Sequence, residues 1–357
     1  MTDIIITGLV VPKTANAPDA AEFRAMVDIG NAMARADVGT ADLDDTVESL
    51  LPAWHDQSDR LSRGFVARRD GEIVGAAVLQ TNTAAGTTRA EVEFSVMPEE
   101  MATTGQTLLS RAEAEARELG RSVLQSWTLH PASPGDAPIT PATGWGLVAS
   151  TPMSELLVAN GFTFEQVERT SILPLDQPMD AVHRRLDEAI AYAGDEYRLV
   201  EWSLPTPPEL RRGYGGVIAR MATDVPVGDL VSEAEVWDDE KVARRDARIL
   251  SGGATFSVAA VEHVPTGEIV AFNELKADGD LTGVTHQWGT LVVPEHRGRR
   301  LGTVVKCANL LRWQGIAPRS PKVVTFNAEE NRAMLDINEA MGFVPASYAG
   351  GWQKRLT

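Results

Sequence analysis

Short apolar runs cut by glycine-containing turns recur in pairs along the chain. GFVARR, ending at Arg69, is followed by Asp70, Gly71 and the run EIVGAAVL; ATFSVAAVEHV, ending at Val264, is followed by a Thr266–Gly267 turn and EIVAFNEL. Two runs rich in β-branched residues on either side of a turn glycine predict a β-hairpin in each place. Further matches keep the same order. EFSVMPEE and GTLVVPEH align at Pro98 and Pro294, and both this pair and Gly71/Gly267 stand 196 residues apart. SELLVANGF and MLDINEAMGF align at Gly161 and Gly342, only 181 apart, so the first copy holds 15 extra residues. The Pro/Gly/Ser-rich stretch PASPGDAPITPATGW accounts for them and is a loop by composition.

The chain is therefore expected to be two copies of one unit, residues 1–175 and 196–357, joined by a helical linker over 176–195. The linker prediction rests on the amphipathic stretch MDAVHRRLDEAIAYA. Each copy reads as strand, one or two helices, three strands, helix, strand, helix, strand. That order places the protein in the α/β class, with a mixed, mostly antiparallel sheet flanked by helices in each unit. Leu301, Val304, Val305, Ala308 and Leu311 trace the buried face of one such helix.

Composition narrows the class. The 357 residues are 43% hydrophobic and 23% charged, as in a globular protein, with enough chain for about two cores. No run approaches the ~20 apolar residues of a membrane span. The start, MTDIIITGLVVPK, reads as a first strand and not as a signal peptide. One cysteine, Cys307, excludes an internal disulfide and fits a reducing, cytoplasmic setting; near the apolar stripe of its helix, it is expected to be buried. The net charge of −17 disfavours nucleic acid and anionic membrane as partners. It leaves two readings, solubility alone or a cationic small-molecule partner. The acidic stretch VSEAEVWDDEK is a helix that either lines the approach of such a partner or is a solvated face.

Against that background, VVPEHRGRRLGT (Val292–Thr303) is conspicuously basic. A helix N-terminus offers unpaired N–H groups and partial positive charge; Gly298 and Gly302 admit an anion to the backbone, and Arg297, Arg299 and Arg300 add charge. Neither a Walker motif nor a dinucleotide-binding glycine pattern is present.

VVPEHRGRRLG followed by KVVTFNAEENRAMLDINEAMGF resembles the GNAT superfamily of acyl-CoA N-acyltransferases, and the double arrangement is similar to actinobacterial tandem GNAT proteins such as mycothiol synthase. The resemblance implies an acetyl-CoA-dependent N-acetyltransferase of monomeric or homodimeric state, acting on the amine of a small acceptor. The acetyl-CoA pyrophosphate would lie on Arg297, Gly298, Arg299, Arg300, Leu301, Gly302 and Thr303. The pantetheine arm would lie along Leu291, Val292 and Val293, with Asn327 and Asn331 nearby. Arg300 occupies a position where the family pattern has glycine. The family's frequent base position is His286 here, with Glu274 or a water chain as alternatives. The usual leaving-group tyrosine is replaced by Asn338, leaving hydrogen-bond help alone or Tyr348. The competing reading is an acyl-CoA-binding or interaction protein without turnover, and a third is O-acyl or longer-chain transfer. In the first copy VMPEEMATTGQT has no arginine and carries Glu99 and Glu100, so that copy is expected to bind no pyrophosphate. Its insertion either reaches the acceptor cleft or is unconstrained.

Overall fold

The computed structural model describes residues 3–357. The first unit runs β1 (Ile5–Gly8), α1 (Ala21–Val38), α2 (Val47–His55), β2 (Arg60–Arg69), β3 (Glu72–Asn82), β4 (Arg89–Ser95), α3 (Gln106–Glu118), β5 (Val123–Pro131), the small ribbon β6 (Pro138–Ile139) and β7 (Val148–Ala149), α4 (Pro152–Ala159) and β8 (Thr163–Pro174). The linker forms α5 (Asp180–Ala193). The second unit runs β9 (Tyr197–Ser203), α6 (Pro208–Ala219), the one-turn α7 (Met221–Asp224), α8 (Asp239–Ser251), β10 (Thr255–His263), β11 (Glu268–Ala277), β12 (Thr285–Val292), α9 (Leu301–Ile316), β13 (Lys322–Ala328), α10 (Arg332–Met341) and β14 (Val344–Arg355).

Alternation along the strands sorts the helices onto two faces. Ala76 and Val78 of β3 pack with α1 and α2, whereas Ala77 and Leu79 pack with α3 and α4. In the second unit Phe256 of β10 lies under Arg245 of α8, and its neighbour Ser257 bonds Asn309 of α9. Caps fix the helix ends: Thr46 and Ser49 form a capping box on α2, Thr151 and Ser154 another on α4, and Gly342 ends α10 in the left-handed region.

A separate sheet in each unit was the expectation; the strands instead form one sheet of twelve, ordered β1-β2-β3-β4-β5-β14-β8-β13-β12-β11-β10-β9. The last strands are exchanged, β14 lying against β5 of the first unit and β8 against β13 of the second. Both are 12 residues long and pair with one another from Val344/Ile172 to Gln353/Thr163. Exchange covers every edge that two separate sheets would expose at the junction.

The acidic stretch at 231–238 is not helical, a second correction. Together with Pro226 and Gly228 it forms an extended strap before α8. Glu233 accepts from the Thr88 N–H (2.6 Å), Glu235 accepts from Asn82 (2.8 Å), and the Val231 N–H donates to Gln353 (2.6 Å). The bonds of Glu233 and Glu235 to the first unit, with that of Val231 to β14, replace the helical ladder, so these acids fasten the units together.

Candidate functional site

β12 and β13 run parallel but pair at only two positions, Thr285 with Val323 and His286 with Val324. From Gln287 onward they part, and among the described residues the β12 edge facing β13 has no backbone partner. A bulge assists the turn-away: the register shifts where Trp288 and Gly289 oppose the single residue Glu274. The Gly289 N–H then donates to the Glu274 carboxylate (3.1 Å) instead of to a ladder carbonyl.

At the end of this open edge the chain makes a short turn through Pro294–His296 and enters α9. Gly298 has φ +77°, and Arg300 has φ +59° at the residue preceding the helix. Among the described residues, the N–H groups from Gly298 through Thr303 donate to nothing in the protein; the first amide of this segment to find a carbonyl is that of Val304, which bonds Arg300. A row of free donors at a helix N-terminus is an anion site by construction.

A cavity of about 410 Å³ joins the turn to the open edge. One wall is Thr290–Val292, another is Asn331, Met334 and Ile337 of α10, and a third is Thr223–Pro226 between α7 and the strap. Gly302 is closely packed: a Cβ there would lie 3.0 Å from Ile337 Cδ1, which would have to give way slightly. A slot of this kind, with amides at one end and an unpaired strand edge along its side, fits a phosphate-bearing chain with peptide-like groups.

Of the residues expected at the cofactor site, Leu291, Val292, Arg297, Gly298, Arg300, Leu301, Gly302 and Asn331 line this cavity; Val293, Arg299, Thr303 and Asn327 do not. Arg297 acts partly as a strut, donating to the Val292 carbonyl (3.1 Å) and the Asp224 carbonyl (3.0 Å), which holds the turn against α7. Arg300 takes the left-handed conformation that explains the family's glycine, and its guanidinium sits 4.5 Å from the Tyr192 ring centroid on α5. Asn331 caps α10, accepting from the Met334 N–H. Asn327 accepts from Asn338 Nδ2 at 2.6 Å, while the buried Asn338 Oδ1 has no partner.

The expected catalytic residues are dispersed. Glu274 is 3% exposed and consumed: Arg245 Nη2 donates to it at 2.8 Å, and the Tyr214 hydroxyl and the Gly289 N–H also donate to it. A carboxylate committed to an ion pair and a bulge is not a free base. His286 stands before the strands part, opposite Lys276, outside the cavity wall. Burial first and the Lys276 ammonium next hold its imidazole below the ordinary range, against the pull of Asp278 and Asp42. Tyr348 lies in the middle of β14, opposite His130 and Arg169.

Two ionisable groups near the cavity escaped sequence reasoning. Lys306 on α9 is 1% exposed with Nζ 3.5 Å from Met334 Sδ, and burial pushes its amine down to about 7. Its position one turn beyond Gly302 gave a helical phase, but nothing in the sequence marked the absence of a counter-ion. Glu168, on the exchanged strand β8, is pushed up to about 7 by burial and then by Glu330. Cys307 is buried as expected, its thiol pushed up to about 11 by burial. Among the described residues no cluster of metal ligands occurs, and no helix is long and apolar enough to cross a membrane.

No protein-family model matches the sequence, and neither does any curated protein. Solved structures do. A tandem GNAT protein from the clavulanic acid biosynthesis pathway is similar over 99% of both chains with a TM-score of 0.74 at 20% identity. The chain has the tandem GNAT fold. A GCN5-related N-acetyltransferase from Sphaerobacter thermophilus is similar over 99% of this chain and 96% of its own, with a TM-score of 0.62 at 14% identity. A GCN5-related glucosamine N-acetyltransferase region of a fungal multi-domain β-N-acetylglucosaminidase reaches 0.59 at 14%, over 38% of that larger chain. In tandem GNAT terms, the parted strands and the arginine turn occur together in the second unit.

Proposed function

We propose that the protein is an acyl-CoA-dependent N-acyltransferase whose donor site lies in the second unit, with acetyl-CoA as donor and a small cationic amine as acceptor. The observation that carries this reading is the run of unsatisfied N–H groups from Gly298 to Thr303 opening onto an unpaired strand edge. The amides receive the donor's pyrophosphate, and Arg300 and Arg297 add positive charge at its rim. The pantetheine arm supplies amides that pair along Thr290–Val292 as an added strand. Its thioester is then delivered into the gap between β12 and β13, where free strand N–H groups polarise the carbonyl.

The acceptor class is supported by charge. A raised carboxyl stands on the sheet face that also carries α1 and α8: half-buried Glu168 on β8 is pushed up to about 7, by burial first and then by Glu330. An ammonium brought there relieves it.

Acyl-CoA binding without turnover has one observation in its favour: Asn338 replaces a proton donor and is tied to Asn327. Release of thiol from acetyl-CoA in the presence of a panel of primary amines separates the two. The enzyme reading requires amine-dependent release; binding with no release for any amine favours the alternative.

A further inference from the structure

Strand exchange puts a first-unit carboxylate beside the second-unit site. β8 lies between β14 and β13, and Glu168 is opposite Ala328 on one side and Ala349 on the other. Two alanines leave the carboxyl standing clear on that face of the sheet. Two residues earlier on the same strand, and therefore on the same face, Gln166 Nε2 donates to the Pro226 carbonyl (3.0 Å) and to Glu330 (2.6 Å). Pro226 is part of the cavity wall, and Glu330 immediately precedes Asn331, which is also part of it. Glu168 thus lies across the width of β13 from the gap that opens where β13 parts from β12.

Its surroundings suit proton transfer. The nearby cation, Arg169, faces the other side of the sheet, where it is held by Glu329 (2.8 Å) and Glu339 (2.9 Å). The groups facing Glu168 from β13, β14, its own strand and the strap are Phe326, Ala328, Ser347, Ala349, Gln166, Thr170 and Pro226, all uncharged; Glu330 is the one neighbouring charge. Glu168 is half-buried and so reachable. Burial, reinforced by Glu330, pushes the carboxyl up to about 7, into the range where a general base accepts a proton from an ammonium and returns it to water.

We infer that Glu168 is the general base of the transfer, supplied to the second-unit site by the first unit through strand exchange. This rests on the N-acyltransferase reading. The Glu168 carboxylate takes one proton from the acceptor ammonium, giving a neutral amine and a carboxylic acid. The amine nitrogen attacks the thioester carbonyl carbon, the C–N bond forms, the C–S bond breaks, and the sulfur leaves with the electron pair. The second amine proton ends on the CoA thiolate, and Glu168 releases its own proton to water.

The test follows thiol release from acetyl-CoA with spermidine as the probe amine, and acetyl-CoA affinity by calorimetry. In the wild type the rate rises with pH through a midpoint near 7. Glu168→Gln is expected to lower kcat about 100-fold and remove that rise. Acetyl-CoA affinity should be unchanged and Tm should not fall, because the isosteric amide removes a carboxylate that burial already disfavours. Glu168→Asp should restore part of the rate. A Glu168→Gln enzyme that keeps its rate and pH profile overturns the inference, and so does a wild type that binds acetyl-CoA but releases no thiol above the spermidine-free blank. A wild type that does not bind acetyl-CoA defeats the functional reading itself.

Discussion

The turns after Pro98 and after Pro294 begin alike and end in opposite chemistry. Each follows a β-strand, starts with proline and leads into a helix on the same face of the sheet. In the second unit the amides after Gly298 are free, Gly302 leaves room beside Ile337, and α10 stands off to leave the cavity. In the first unit Glu100 supplies the anion from within. Arg69 binds it through both nitrogens (2.6 and 2.7 Å), Thr104 adds a third bond (2.8 Å), and these hold its carboxyl down to about 2. The following residues, Met101–Gly105, wind into a π-turn with Met101 buried. Gln106 stands where the second unit has Gly302, and its side chain exchanges two bonds with Asn160 at the end of α4 (3.0 and 2.7 Å). The lesson is that a ligand site is lost by filling it: an internal carboxylate replaces the external anion, and a side-chain bolt replaces the cavity.

The most damaging change should be the one that writes the first unit's bolt into the second. Gly302→Gln pushes a side chain against Ile337 and Val292, and acetyl-CoA affinity should fall at least about 100-fold, roughly 2.7 kcal/mol, as read by calorimetry. Among the described residues Lys306 has no counter-ion, so Lys306→Met should raise stability by on the order of a few kcal/mol in denaturant melts. The sign follows from its folded value lying below the unfolded one: protonation is disfavoured by folding, so the wild type gains stability as pH rises from about 7 towards 10.5, and the variant loses that slope. In the first unit Arg69→Met should lower stability slightly at neutral pH, the pair being partly exposed. Because folding lowers the Glu100 value, that contribution is present above pH 4.5 and is lost between about 4.5 and 2. Smallest should be Arg300→Gly, within about 0.5 kcal/mol: release from the left-handed conformation offsets the lost stacking on Tyr192. Its acetyl-CoA titration reads separately whether the guanidinium helps hold phosphate.

Sequence periodicity disclosed the order of elements and the repeat, because hairpin glycines, proline turns and helix stripes are local signals. The arginine turn was legible for the same reason, its chemistry lying within twelve consecutive residues. Strand exchange was not, since β8 and β14 have equally good partners in their own unit and only packing at the junction decides. The surroundings of Glu274 were not legible, because its partners lie far along the chain. Glu274 is occupied by Arg245 and Tyr214, and the bulge that it supports arises from the Trp288–Gly289 pair. Glu168 was invisible because nothing local shows that the first copy's last strand pairs with β13 of the second copy. The acidic strap was misread as a helix because its acids bond Thr88 and Asn82, more than a hundred residues away.

The central claim is that one of two homologous turns retains an anion site and the other has sealed it. Calorimetric titration of the intact chain with acetyl-CoA tests it most directly. One site per chain is the predicted result; two sites per chain, or no heat at millimolar acetyl-CoA, would contradict it.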